Sequence, residues 1–124
     1  MSRRIVITAG GATVKAELND TRTALAVWKS LPIEGIVNTW GDEIYFSTPL
    51  SLELENGQEV VQEGHVGYWP PGKAICLFFG PTPASRGDEI RAASAVTVFG
   101  HVVDDIAVLK TVTEGSKVAV HRTE

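Results

Sequence analysis

The stretch from Gly64 to Pro83, GHVGYWPPGKAICLFFGPTP, constrains the fold of this chain more than any other. Its middle, Ala74 to Phe79, is an unbroken apolar run. Pro70-Pro71-Gly72 stands before it and Gly80-Pro81-Thr82-Pro83 after it. A short apolar run between two sets of turn formers reads as a buried strand. The rest of the chain then has to supply strands that pair with it and cover it.

Those strands are visible on both sides. Ile5, Ile7 and Ala9 alternate with Val6 and Thr8, and Ala12, Val14, Ala16 and Leu18 alternate with Thr13, Lys15 and Glu17. Gly10-Gly11 between them predicts a hairpin. Asn19-Asp20 predicts a helix start, because a short side-chain oxygen accepts from the free amides of a first turn. Thr21, Ala24, Leu25, Trp28 and Leu31 are read as its apolar stripe, and Pro32 as its end. Ile33 to Trp40 and Glu43 to Thr48 read as strands about a Gly41-Asp42 turn of type II′. Leu52 and Leu54 alternate with Ser51, Glu53 and Glu55, and Asn56-Gly57 predicts a hairpin returning through Val60-Val61. Ala84 to Ala93 reads as an exposed loop, Ala95 to Val103 as a strand. Asp104 is expected to cap a second helix through Ile106, Leu109 and Val112, ended by Gly115, and Lys117 to His121 closes the series as a strand.

These elements predict a mainly β fold: a closed eight-stranded barrel capped by two short α-helices, one domain over residues 1–124. Closure is expected because it leaves no strand edge unpaired. The net charge is −4, and Arg3-Arg4 is the only basic pair. A nucleic-acid partner, which needs a basic patch, is therefore not expected. No apolar run approaches membrane-spanning or signal-peptide length, and one cysteine cannot form an internal disulfide. A cytoplasmic protein with no membrane partner is the expectation, and a homodimer is compatible with it.

Candidate chemistry centres on the aromatic residues. Trp40, Tyr45, Tyr68, Trp69 and Phe79 lie on stretches that a sheet could bring together, and they are read as lining a pocket for a small apolar or peptide-like ligand. Ordinary core packing competes with that reading, most strongly for Phe78 and Phe79. Arg86, in the loop Ser85-Arg86-Gly87-Asp88, is added as a fork for a carboxylate. Pro70-Pro71 is read as a rigid turn, with a cis bond at Trp69-Pro70 or Pro70-Pro71 as an option. His65, His101 and His121 are far apart with no ligand spacing, so no metal is expected. Cys76 reads as an inert buried thiol. Asp42-Glu43 reads as a solvated turn. No cofactor is implied.

Two resemblances add to this. The run Val98-Phe99-Gly100-His101 through Leu109-Lys110 resembles the Phe-Gly strand and short helix of cyclophilins. NTWGDEIYF from Asn38 and GYWPPGKAICLFFGPTP from Gly67 resemble an uncharacterised bacterial and archaeal cyclophilin-like family typified by a Thermotoga protein. That second resemblance covers nearly the whole chain, with His65 in place of the family's usual acidic residue. The cyclophilin resemblance implies an eight-stranded barrel closed by two helices. Peptidyl-prolyl isomerase activity does not carry over residue by residue. Ile44 to Pro49 lacks the isomerase arginine, Leu77 stands where cyclophilins have glutamine before the Phe pair, and Arg91 to Val98 has neither the tryptophan nor the histidine. The alternative is an isomerase with relocated groups, Arg86 or Arg91 replacing the lost arginine. A purely structural module is a third reading.

Overall fold

The computed structural model describes residues 3–123. The chain begins with the expected hairpin, β1 (Arg3–Ala9) and β2 (Ala12–Leu18), in which Ala9 faces Ala12 across the Gly10-Gly11 turn. Ile5, Ile7, Val14 and Ala16 all point inward and are buried. Helix α1 (Arg22–Ser30) follows. Its cap is Thr21, whose hydroxyl accepts from the amide of Ala24 at 3.0 Å. Asn19, the expected cap, instead accepts from the amide and hydroxyl of Thr21 and so orients the true one. The helix buries Thr23, Ala24 and Val27, with Trp28 and Leu31 packed beside them. Leu25 falls outside this stripe and is exposed, because a period of 3.6 joins positions 24, 27, 28 and 31.

Strands β3 (Ile33–Ile36) and β4 (Asn38–Thr39) divide the single expected strand at Val37. β5 (Glu43–Ser47), β6 (Gln58–Val61), β7 (His65–Trp69), β8 (Ala74–Phe78), β9 (Ile90–Val102) and β10 (Lys117–Arg122) complete the sheet. β8 is the apolar run singled out above, buried at every position. It pairs with β5 on one side and β7 on the other.

Three expectations fail here for identifiable reasons. Residues 51–57 form no strand and Asn56-Gly57 no hairpin. The backbone of this segment is satisfied by side chains instead. Tyr68 Oη donates to Leu50 O and accepts from Leu52 N, and Thr97 Oγ1 accepts from Glu55 N. Strand β9 starts at Ile90, inside the expected loop, because β6 pairs with its first residues. The second helix, Ile106–Thr111, is a 3₁₀ helix rather than an α-helix. Its cap is Asp105, since the Asp104 carboxylate is taken by the Lys15 amide of β2. A six-residue run of this kind suits the tighter i→i+3 pattern.

The sheet runs β3-β10-β1-β2-β9-β7-β8-β5-β4, with β6 paired to β9 off this path. Its two ends are consecutive in the chain, separated only by Val37. The expected closed barrel is not formed, because no ladder joins β3 to β5. Val37 donates to Ser116 O and accepts from Gly115 N, so its backbone is used on the β10 side. The fold is mainly β, with ten strands rather than eight. A large core fills the space enclosed by the sheet, and a smaller one, around Cys76, Phe78 and Val96, lies on the opposite face of β8. The one cis peptide bond among the described residues joins Leu31 to Pro32, not the Trp69-Pro70-Pro71 run. No helix among the described residues is long and apolar enough to cross a membrane.

Candidate functional site

The smaller core borders a cavity, and the local chemistry of β5 explains why. The turn before β5 is fixed by Gly41 at φ +63°, a backbone conformation that glycine adopts without strain. A Cβ there would lie 2.9 Å from Thr82 Cα, so only glycine lets residues 81–83 lie against the turn. Asp42 N donates to Pro81 O and Phe79 N to Asp42 O, both at 2.9 Å. With the turn clamped, the pleat of β5 sends Ile44 and Phe46 into the large core and Glu43 and Tyr45 to the other face. Glu43 stands opposite Phe78 and Tyr45 opposite Cys76.

Trp69, at the end of β7, meets Tyr45 edge to face with ring centroids 6.3 Å apart. Its indole Nε1 donates to Ser94 Oγ at 2.6 Å. Ser94 is brought there by an irregularity in β9. Between the pairs Gln58–Val96 and Val60–Arg91, residues 92–95 face Glu59 alone. A bulge of this kind bends a strand and re-aims its side chains. Ala92, Ala93 and Val96 of β9 line the cavity together with Glu43, Tyr45, Trp69 and Trp40. Gly67 on β7 lets Val96 settle against the sheet, since a Cβ there would lie 3.2 Å from a Val96 methyl. The cavity is half open to solvent and has a volume of about 200 Å³.

The chemically distinctive group in this cavity is Glu43. It is 5 % exposed, and its Oε1 is the one buried side-chain oxygen or nitrogen among the described residues with no hydrogen-bond partner. Burial raises its pKa from 4.5 to about 7, and hydrogen bonding from the Cys76 thiol opposes this to a lesser degree. The Cys76 thiol is itself pushed well above its usual range, first by burial and then by the charge of Glu43. No lysine, arginine or histidine lines the cavity.

Three of the six residues read from the sequence as pocket residues therefore meet here: Trp40, Tyr45 and Trp69. The other three lie elsewhere. Tyr68 points to the opposite face and is wholly enclosed, its hydroxyl 2.8 Å from Leu50 O. Phe79 belongs to the large core. Arg86 sits on an exposed loop, where its backbone amide bonds Glu89 Oε2. Arg91, the other candidate for a relocated arginine, is held by Glu89 at 2.6 Å and Glu59 at 3.0 Å. Its pKa is raised by the Glu89 hydrogen bond above all.

Glu43 was missed because Asp42-Glu43 resembles a solvated turn. The available signal was its spacing: Glu43 precedes Tyr45 by two, so the two residues share a face. The histidines also need correction. His65 and His101, distant in sequence, are register partners on β7 and β9. Burial, and then the charge of His101, lowers the pKa of His65, whose Nδ1 accepts from Gln62 N.

Comparison with known proteins agrees with this architecture. A family model described as Cyclophilin-like matches residues 3–121. The solution structure of a hypothetical protein from Archaeoglobus fulgidus is similar with a TM-score of 0.85 and 45% identity, over 98% of this chain and 95% of that one. The structure of McbB in complex with tryptophan is similar at 18% identity and a TM-score of 0.72, over 96% of this chain and 44% of McbB. That second likeness is one of fold alone. No curated protein matches.

Proposed function

The chain belongs to the cyclophilin-like family, and from that premise we propose that it is a binding protein whose ligand occupies the cavity between Trp40, Tyr45 and Trp69. The observation that carries this reading is the pairing of apolar rings with one buried, unpartnered carboxyl oxygen in a single cavity. Small-molecule sites have this composition, mostly apolar with few polar groups that fix orientation. A buried polar atom left without a partner is costly, and a ligand that supplies the partner recovers that cost. At about 200 Å³ the cavity is below the roughly 300–1,000 Å³ of drug-sized sites, so its ligand is fragment-sized.

The isomerase alternative has less support. Arg91 is tied to two carboxylates, and Arg86 is not among the residues that line the aromatic cavity.

Side-chain NMR tests the binding reading. With a fragment library, the indole N–H signals of Trp40 and Trp69 should shift while that of Trp28, which packs under Arg122, stays in place. A library in which no compound moves either signal would remove the proposal. A protease-coupled prolyl isomerisation assay should show no acceleration over the uncatalysed rate. Acceleration that Arg91→Ala abolishes would restore the alternative.

A further inference from the structure

Resting on the binding reading above, we infer that the cavity selects a small organic ammonium ion that carries at least one N–H, held between Glu43 and the rings of Trp40, Tyr45 and Trp69. Two features of the cavity each favour such a ligand. Glu43 Oε1 is buried and lacks a donor, and an ammonium N–H is a charge-assisted donor. Three aromatic rings line the cavity, and an aromatic face attracts a cation. No basic side chain lines the cavity to neutralise Glu43 from within the protein.

Other ligand classes use only part of this chemistry. A carboxylate or phosphate would face the acid and the ring faces together, with no cation to pair it. A neutral alcohol or amide would satisfy Oε1 without using the charge. A quaternary ammonium would use the rings but offer Oε1 no hydrogen. A hard metal ion needs six or more oxygen ligands, whereas a single carboxylate stands among apolar walls here.

The inference carries a proton balance. Below about pH 7 the empty cavity holds Glu43 as the neutral acid. Ammonium binding favours the carboxylate, so the acid O–H breaks, its proton leaves to solvent and an N–H···O⁻ bond forms. Cys76 and Tyr45 are the other ionisable side chains beside Glu43 at the cavity. Cys76 on β8 stays a thiol because its pKa is raised. Tyr45 shares the strand of Glu43, and the side chains contributed by β7 and β9, Trp69, Ala92, Ala93 and Val96, carry no ionisable group.

The experiment compares four probes on the full chain by Trp40 and Trp69 indole N–H shifts: benzylammonium, benzyltrimethylammonium, benzyl alcohol and benzoate. At pH 8, benzylammonium should bind at least about tenfold more tightly than benzyl alcohol and the trimethyl ion, and benzoate should not bind. From pH 8 to pH 6 the benzylammonium affinity should fall by about tenfold and that of the alcohol should not change. Glu43→Gln should keep alcohol binding and lose the preference for the ammonium. The inference is overturned if the alcohol or benzoate binds as well as benzylammonium at pH 8. It is also overturned if the ammonium affinity is flat with pH, a wild-type measurement that stands should Glu43→Gln not fold. Those outcomes leave the binding reading intact, because a probe still occupies the cavity. If none of the four probes moves either signal, this inference fails, and the fragment library separately decides the binding reading.

Discussion

Glu43 illustrates how one residue can work against stability in a folded protein. Its carboxyl has a pKa of about 7 when folded and an ordinary value near 4.5 when unfolded. Below pH 4.5 both states are protonated and the burial is nearly neutral. As pH rises from 4.5 to 7 the unfolded chain releases the proton and the folded one keeps it, so stability falls. Above 7 the loss is constant, on the order of 3 kcal/mol. Glu43→Gln should therefore stabilise the protein at pH 8 by a large part of that amount and change little at pH 4. Urea unfolding at the two pH values measures this, and equal effects at both would contradict it. Tyr68 is the opposite case. Its hydroxyl serves two backbone groups of residues 50–52. Tyr68→Phe leaves both without their partner and should cost about 1–3 kcal/mol, with no change in ligand binding. A fall in binding of the same size would mean that the 50–52 segment supports the cavity after all.

At the scale of elements, the cavity exists because of β9. Its first residues pair with β6, its last with β2 and β7, and residues 92–95 bulge between them. A second irregularity, between the pairs Val66–Gly100 and Gly67–Val98, places Phe99 opposite no residue of β7. Gly67→Ala should force Val96 outward and disturb this wall, destabilising the chain by about 1–3 kcal/mol and shifting the Trp69 indole signal. An unchanged Trp69 signal would show that the wall yields without moving the site. Helix α1 is held from outside itself: the Glu55 carboxylate accepts from the amides of Arg22 and Thr23 and from the Thr23 hydroxyl. The backbone hydrogen bonds from Thr23 and Arg22 lower its pKa. Their stabilisation is present above the ordinary carboxylate range and lost as pH falls through the lowered value. Glu55→Gln should therefore destabilise the protein at pH 7 and have a smaller effect at pH 3 in the same urea experiment.

At the scale of the whole molecule, β10 is the keystone. It pairs with β1 and with β3, so residues from the first and last parts of the chain share one ladder. A chain ending at Ser116 loses both ladders and the inward Val118 and Val120. It should show no cooperative unfolding transition by circular dichroism. A sharp transition in that fragment would mean that the sheet can be completed another way.

The local parts of this fold were legible in the sequence, because they depend on neighbours a few residues apart. The β1–β2 hairpin, the buried run of β8, the Gly41 turn and β10 all follow from period-two alternation and from glycine at a turn. Three of the aromatic residues at the cavity were legible too, since rings beside stiff turns concentrate on two stretches. Failures came where distant groups decided the outcome. Asn56-Gly57 carries a strong hairpin signal, yet Tyr68 and Thr97 bind the backbone beside it. Val37 spends its hydrogen bonds on Gly115 and Ser116, which leaves the barrel seam without a ladder. The same logic governs Gly64 to Pro83. Composition determined that its middle is a buried strand. Only the tertiary structure decided that Tyr68 faces the core while Trp69 faces the cavity. It also decided that Glu43, on a strand two away in the sheet, lines the same cavity as Trp69. Burial and hydrogen-bond partners are properties of what surrounds a residue, and those surroundings form only when strands distant in sequence pair.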